Sequence, residues 1–287
     1  MKAGTFMRIK ITSDSTCDLS EDLIAENNIT IFPLTIVKGG KNFKDCVNIT
    51  SADIFSHVDA GGSLCSTSAV NIEEYHDVFA ALSKEYDAVV HINIGSCFSS
   101  CYQNACIAAE DFSNVYIIDS QNLSTGQGHV VMEACSAAKT CTDITAMCED
   151  LRVLTSRVEA SFLINLLDYM VKGGRCSSVM ALGANILKLK PCIEVKEGKM
   201  QVVKKYRGSF SKCLSEYVKD RLYKRDDIIW NRIFVTHTPV TDNDIKVTYE
   251  AISQYGHFSN IYNTNAGCTV ACHCGPSTLG VLFIRNK

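Results

Sequence analysis

The chain has 287 residues, of which 46% are hydrophobic and 21% charged, as is typical of a globular protein with one large or two ordinary domains. Its formal net charge is -3 and Lys and Arg form no long block, which argues against generic binding to nucleic acid or to an anionic membrane. The sequence has no apolar run near the roughly 18 residues of a membrane-spanning helix and no signal-peptide pattern, so we expect a cytoplasmic protein.

Fifteen cysteines are scattered through the chain, and we expect them to be unpaired thiols in a reducing compartment. Cys268, Cys272, His273 and Cys274 lack the paired spacing of a zinc site, so we expect no metal. A nucleophile made of adjacent Cys272 and His273 is disfavoured, because neighbours in a strand point to opposite faces.

Strand and helix patterns alternate along the first half of the chain. The predicted elements are strand 9–13, a helix ending near Asn27, strand 30–37, a turn at 38–41, a short helix after Thr50, a helix from Asn71, strand 88–94, helix 100–112, strand 115–119 and helix 126–140. Asn71 and Glu74 form a predicted capping box. This order predicts a mostly parallel sheet flanked by helices.

The pattern changes after Thr155. The predicted elements are a helical segment 161–171 ended by Gly173 and Gly174, a hairpin of strands 193–195 and 200–203, helix 210–223, strand 228–236, helix 242–254 and strands 260–263 and 279–284. We therefore predict an α/β protein of two α/β domains. The N-terminal domain spans residues 1–157, and the C-terminal domain, with a mixed sheet and helices, spans 158–287.

Two loops rich in hydroxyl groups precede predicted helices. Residues 66–68 (Ser-Thr-Ser) precede the helix at Asn71, and residues 96–100 (Ser-Cys-Phe-Ser-Ser) follow a buried strand. A helix start offers free backbone N–H groups and the positive end of its dipole to an anion, and hydroxyl groups add neutral donors. Ser and Thr also cap helices without binding anything, and the sequence leaves both interpretations open.

Several other motifs carry weaker signals. Gly126-Gln127-Gly128 lacks the third glycine of a dinucleotide-binding motif, and Ser124 lacks the glycines of a hydrolase nucleophile turn. The Gly173-Gly174-Arg175 segment suits either an anion site or a plain helix end. Asp14 either orients a neighbouring hydroxyl or forms a simple turn.

His273 stands before a Gly-Pro turn and a terminal apolar strand. A histidine at such a sheet end can donate a hydrogen bond to an anion while it remains near neutral at cellular pH. A lone histidine can equally be a purely structural residue.

Seven segments, taken in order, resemble the DegV family of fatty-acid-binding proteins. They are residues 14–20 (DSTCDLS), 67–75 (TSAVNIEEY), 95–105 (GSCFSSCYQNA), 117–128 (IIDSQNLSTGQG), 167–177 (LDYMVKGGRCS), 188–200 (KLKPCIEVKEGKM) and 273–283 (HCGPSTLGVLF). The resemblance covers nearly the whole chain, and seven ordered motifs are far more specific than any one of them.

The resemblance implies a non-enzymatic carrier that encloses one long-chain fatty acid between its two domains, with no cofactor. Thr67, Ser99 and His273 would bind the acyl carboxylate. The carrier would present this carboxylate to a separate ATP-dependent kinase subunit, and the acyl phosphate formed there would enter phospholipid synthesis.

The resemblance also extends to a wider set of residues and contacts. Arg175 would lie near the binding region, and Arg207 would face the kinase. The remaining residues with an expected site or partner contact are Ser68, Ser96, Gly174 and Gly275. Transient contact with a membrane is compatible with this role.

The sequence departs from the family motifs at several positions. Ala69 and Val70 replace Gln-Pro, and Ser100 and Cys101 replace Gly-Thr. Ser277 stands where glycine is usual. None of these changes removes an expected ligand, but Ser100 would be strained if its position required a positive φ.

Two other functions remain open. One is an enzyme acting on a small anionic metabolite at the same loops, with His273 as its candidate base. The other is a sensor that binds an acyl or small anionic ligand and then contacts another macromolecule.

Overall fold

The computed structural model describes residues 6–181 and 189–286. Its strands are β1 (Ile9–Asp14), β2 (Thr30–Phe32), β3 (Thr35–Lys38), β4 (Lys41–Lys44), β5 (Ser66–Ser68), β6 (Ala88–Asn93), β7 (Val115–Asp119), β8 (Val158–Ile164), β9 (Leu189–Lys196), β10 (Lys199–Arg207), β11 (Ile228–His237), β12 (Asn260–Asn265) and β13 (Thr278–Arg285).

The helices follow the same chain order. They are α1 (Glu21–Glu26), α2 (Ser51–Asp59), α3 (Ile72–Glu85), α4 (Cys101–Ala109), α5 (Thr125–Ala138), α6 (Ile144–Thr155), α7 (Asp168–Gly173), α8 (Ser177–Met180), α9 (Phe210–Leu222), α10 (Asp242–Tyr255) and α11 (Cys268–Cys274), with a 3₁₀ turn at Ser15–Cys17. No helix in the described part of the chain is long and apolar enough to cross a membrane.

The first sheet is parallel throughout and has the strand order β2-β1-β6-β7. All six residues of β6 are buried, because helices cover both faces of a parallel sheet. Asn71 caps α3 and forms the predicted capping box with Glu74. The prediction of a parallel sheet flanked by helices is confirmed.

The second sheet is mixed and has the order β10-β9-β8-β13-β11-β12. Its neighbouring strands are antiparallel except β11 and β12, which are parallel. The predicted hairpin of β9 and β10 turns at Glu197 and Gly198, both of which have positive φ. The predicted mixed sheet is therefore confirmed as well.

A third, small antiparallel sheet has the order β4-β3-β5 and corrects two predictions. The predicted strand 30–37 is two strands in different sheets, because Pro33 between them has no N–H to continue a ladder. Residues 66–68 are not a loop but strand β5, in which Thr67 pairs with Ile36.

The segment after Thr155 contains the largest error of the sequence prediction. Residues 161–171 were expected to be helical, but β8 occupies 158–164 and only Asp168–Gly173 is helical. All seven residues of β8 are buried, and a strand buried on both faces lacks the alternation that separates it from a helix. Helix α6, which received no prediction, begins at the cap Asp143.

Helix α5 packs between the first and second sheets. It contacts β1 and β6 on one side and β8 and β13 on the other. A Cβ at Gly128 would lie 2.7 Å from the carbonyl oxygen of Cys17, and one at Gly126 would lie 2.6 Å from Asn122 Oδ1. The two glycines therefore permit close packing of this helix.

The predicted boundary at 157/158 lies directly before β8. The strands of the first and third sheets precede it, and those of the second sheet follow it. One cluster of buried hydrophobic residues nevertheless extends over both large sheets. The division into domains 1–157 and 158–287 therefore stays a proposal.

Candidate functional site

A cavity of about 370 Å³ lies at the carboxyl end of the parallel sheet, between the loop after β6, strand β5 and helix α11. Its polar lining residues are Thr67, Ser68, Ser99, Ser100, Arg175, Thr269 and His273. Its apolar wall includes Leu34, Ile94, Phe98, Leu123, Met170 and Met200. Ligands of open α/β sheets commonly bind at this end of the strands, so this cavity is the candidate site.

Thr67 and His273 meet on the wall of the cavity although 206 positions separate them in the chain. Thr67 Oγ1 lies 2.9 Å from His273 Nε2. Burial, and then the charge of Arg175, lower the pKa of His273 from 6.5 to about 4, so that the imidazole is neutral at pH 7. A neutral ring with its proton on Nε2 would donate to Thr67 and leave the hydroxyl hydrogen of Thr67 for a ligand.

The Gly173-Gly174-Arg175 segment ends helix α7 and borders the cavity. Gly174, with φ 68°, ends α7 as a C-cap. A Cβ at Gly173 would lie 2.6 Å from His273 Nδ1, so the glycine makes room for the imidazole. Arg175 lines the cavity and donates from Nη1 to the carbonyl of Gly173 at 2.8 Å.

Ser99 helps to start helix α4. Its Oγ accepts a hydrogen bond from the backbone N–H of Cys101 at 3.2 Å and lies 3.2 Å from the Cys101 sulfur. The N-cap of α4 is Ser100, whose side chain makes no cap hydrogen bond, so the preceding Ser99 satisfies the first N–H of the helix while it also lines the cavity.

The other predicted site residues lie in different places. Ser68 lines the cavity. Ser96 is exposed outside its lining and donates its backbone N–H to Asp119. Arg207 is exposed at the end of β10. Gly275 is buried and caps α11 with φ 73°, in a position where a Cβ would collide with the Tyr169 ring.

Three buried acidic side chains, Asp14, Asp18 and Asp45, support the elements around the cavity, and only Asp14 carried a signal in the sequence. Asp14 accepts hydrogen bonds from the Tyr75 hydroxyl at 2.5 Å and from the backbone N–H of Ile94 at 2.9 Å, which anchors the start of the 96–100 loop. The hydroxyl that Asp14 binds therefore belongs to Tyr75, 61 positions away, and not to a neighbour of Asp14 in the chain.

Asp45 and Asp18 accept hydrogen bonds from residues at the start of helix α11. Asp45 accepts the backbone N–H of Cys268 at 2.8 Å and the Thr269 hydroxyl at 2.6 Å. Asp18 accepts the backbone N–H of Gly267 at 2.9 Å. No local sequence signal relates these carboxylates to α11, because they lie more than 200 positions before it.

Residues 8–286 match the family model described as "Uncharacterised protein, DegV family". The chain belongs to the DegV family.

Individual DegV relatives match over almost their whole lengths. A DegV domain-containing protein of Clostridium acetobutylicum is 29% identical over 285 residues, which are 97% of this chain and 99% of that protein. A solved fatty-acid-binding DegV protein from Thermus thermophilus is 26% identical, with a TM-score of 0.89 over 97% of this chain and 100% of its own. A solved stearic-acid-binding protein from Eubacterium ventriosum is also 26% identical, with a TM-score of 0.82 over 96% and 98%.

The structure shows the backbone conformation at two positions where the chain departs from the DegV motifs. Ser100 has φ -77°, an ordinary value for any residue, so a serine is not strained there. Ser277, which replaces the usual glycine, has φ 56° and lies in the left-handed region, where a side chain costs about 1–2 kcal/mol.

All fifteen cysteines fall within the described residues and are free thiols. Cys272 and His273 lie in helix α11, not in a strand, so their side chains diverge by about 100°. Burial also raises the pKa of the Cys272 thiol, which disfavours a nucleophile.

One group of side chains in the described ranges is close enough together to hold a metal ion. Ligand atoms of Asp45, Cys46 and Cys268 lie within 4.8 Å of one another. The Asp45 oxygens already accept hydrogen bonds from α11, so we assign this carboxylate to helix capping.

Proposed function

We propose that this DegV protein binds a long-chain fatty acid, with the acyl carboxylate on Thr67, Ser99 and His273. The observation that carries the proposal is that these three side chains share one cavity with an apolar wall. The fatty-acid-binding relatives from Thermus thermophilus and Eubacterium ventriosum, which have the same fold, support this ligand class.

The charge distribution of the cavity suits an acid head group. Among the described residues that line it, Arg175 is the only fully charged one. Hydroxyl groups and a neutral imidazole therefore supply most of the donors, and their hydrogen bonds must offset the cost of burying the carboxylate.

The hydrocarbon chain would extend inward between the two large sheets. A second cavity of about 30 Å³ shares Leu123, Val270 and Cys274 with the first. It continues towards Phe162 and Leu282 on the six-stranded sheet. Each methylene group buried along this path would contribute about 0.8 kcal/mol to the binding free energy, which favours a long hydrocarbon chain.

We further propose that the protein is a cytoplasmic carrier and not an enzyme. It would present the carboxylate to a separate ATP-dependent kinase subunit for acyl phosphate formation, with transient contact to a membrane when the fatty acid is loaded. The exposed position of Arg207 at the end of β10, outside the cavity lining, supports a role for it in contact with the kinase.

The first experiment is to purify the protein gently, denature it and identify any released small molecule by mass spectrometry. One fatty acid per chain is the expected result. A protein that is reproducibly empty and takes up no member of a fatty-acid panel would overturn the proposal and favour an enzyme or sensor for a small anionic metabolite.

The carrier role needs a separate test. Mixing the loaded protein with a fatty-acid kinase subunit and ATP should yield acyl phosphate, and Arg207→Glu should slow this reaction while fatty-acid affinity stays unchanged. Equal rates for Arg207→Glu and the unmodified protein would remove Arg207 from the partner surface.

A further inference from the structure

Behind Ser99, a group of buried polar side chains lies between the cavity wall and Asp14. Ser99 Oγ lies 3.2 Å from Cys101 Sγ, and the Tyr75 hydroxyl is one of the groups that influence the pKa of the Cys101 thiol. The Tyr75 hydroxyl lies 2.5 Å from Asp14 Oδ1. Cys101, Tyr75 and Asp14 are all fully buried, so water does not compete for these contacts.

The hydrogen bonds that Asp14 accepts determine where the proton of the Tyr75 hydroxyl points. Asp14 accepts from the Tyr75 hydroxyl, from Asn93 Nδ2 at 3.1 Å and from the backbone N–H of Ile94. The Tyr75 proton therefore points to Asp14, and the Tyr75 oxygen accepts a hydrogen bond from Asn93 Nδ2 at 3.1 Å.

The sulfur of Cys101 then accepts the hydroxyl hydrogen of Ser99, as the distance indicates. Burial raises the pKa of Cys101 to about 12, so the thiol keeps its hydrogen at neutral pH. In this arrangement the Ser99 hydrogen points inward, and it must turn outward before Ser99 can donate to an anion in the cavity.

We infer that Cys101 is a positioning residue that determines how readily Ser99 turns its hydroxyl towards the anionic head of a ligand. The inference rests on the proposed function, in which Ser99 contacts the acyl carboxylate. Sulfur is a weak acceptor, so the inward hydrogen bond that Ser99 must break is weak. An oxygen at the same place would hold the hydroxyl inward more strongly.

Two substitutions at Cys101 should act in opposite directions. Cys101→Ser supplies an oxygen acceptor and should weaken binding of palmitate about threefold to tenfold, the range of one ordinary net hydrogen bond. Cys101→Ala removes the inward acceptor and should leave palmitate affinity unchanged or tighter. A merely structural role of the thiol would instead make Cys101→Ala the more damaging change, because it opens a buried cavity.

The deciding experiment is a double-mutant cycle on the full chain after removal of bound lipid. Palmitate affinity is titrated for the unmodified protein, Cys101→Ser, Ser99→Ala and the double variant, with Cys101→Ala and the thermal midpoints alongside. The expected result is that Cys101→Ser weakens binding only when Ser99 is present.

An equal loss from Cys101→Ser in the Ser99→Ala background would overturn the inference and assign Cys101 to packing. Unchanged affinity of Cys101→Ser, with Ser99→Ala weakened, would also overturn it but leave the proposed function intact. Failure of the unmodified protein to bind any fatty acid would overturn both.

Discussion

The contact between Thr67 and His273 shows how single side chains place neutral hydrogen-bonding groups on the cavity wall. The His273 ring is held between Thr67 on one nitrogen and Gly173 beside the other. Because its pKa is about 4, His273 adds a directed hydrogen bond and no positive charge at pH 7. The orientation of the Thr67 hydroxyl should therefore matter more to ligand affinity than the charge of the imidazole.

Thr67→Val tests this role with nearly the same side-chain shape. Loss of the hydroxyl should weaken fatty-acid binding by about 1–3 kcal/mol, because the buried carboxylate and His273 Nε2 both lose a partner. Lipid titration by calorimetry measures the change. Ser66→Ala, on the same strand but outside the cavity lining, is the matched control, and equal affinity of Thr67→Val and this control would contradict the assignment.

Acid should destabilise the protein partly through two histidines. Burial lowers the pKa of His129 to about 3 and that of His273 to about 4, below the 6.5 of an unfolded chain. The unfolded state therefore takes up protons first, so the stability that these residues contribute is complete above pH 6.5 and is lost as the pH falls to about 4 for His273 and to about 3 for His129. Asp18 opposes this trend, since burial raises its pKa to about 8.

His273→Gln isolates one of these contributions. Between pH 7 and pH 5 the variant should lose less free energy of unfolding than the unmodified protein, by about 1–2 kcal/mol after allowance for the partial exposure of the ring. Urea unfolding at the two pH values measures the difference. Parallel pH profiles would show that His273 titrates normally in the folded state.

Among the elements, helix α11 depends most on residues remote in sequence. It has seven residues, and its N-cap Gly267 offers no side chain, so Asp45 and Asp18 satisfy its first N–H groups. The position of His273 in the last turn of α11 thus depends on residues that follow β1 and β4.

Asp45→Asn should destabilise the protein by about 2–3 kcal/mol, because the amide turns a donor towards groups that already donate. It should also weaken fatty-acid binding through movement of α11. Asp53→Asn, in the exposed capping box of α2, is the matched control and should cost about 1 kcal/mol with no effect on binding. Equal losses of stability in the two variants would refute a special role for Asp45.

The elements also show where sequence reasoning succeeds. Alternating or capped segments such as α3, α10 and β7 are correct within a few residues, since their periodicity and caps are local. Strand β8 was mistaken for a helix because complete burial removes its period. Strand β5 was mistaken for a loop because its three polar residues pair only with β3.

For the whole molecule, the central fact is that both large sheets pack on α5. Polar contacts join the same halves: Thr125 Oγ1 lies 2.5 Å from Thr236 Oγ1, and His129 Nε2 lies 2.9 Å from the carbonyl oxygen of Leu282. A shared core couples the unfolding of the two halves, even though their strands come from separate parts of the chain.

We therefore expect one cooperative unfolding transition. Fluorescence of Trp230, the single tryptophan, reports on β11 in the six-stranded sheet, and far-ultraviolet circular dichroism reports on all helices and strands. The two urea transitions should coincide. Separate midpoints would instead indicate that residues 1–157 and 158–287 unfold as independent units.

The sequence by itself determined the α/β class, the parallel and mixed sheets and the family, because these follow from local periodicity, caps and ordered motifs. It also selected Thr67, Ser99, Arg175 and His273 as members of one site, through the family resemblance. Only the tertiary structure decided that these residues line a common cavity and that Ser96 and Arg207 lie outside its lining. It alone revealed the support that Asp45 gives to helix α11, because hydrogen bonds across long sequence separations leave no local pattern in the chain.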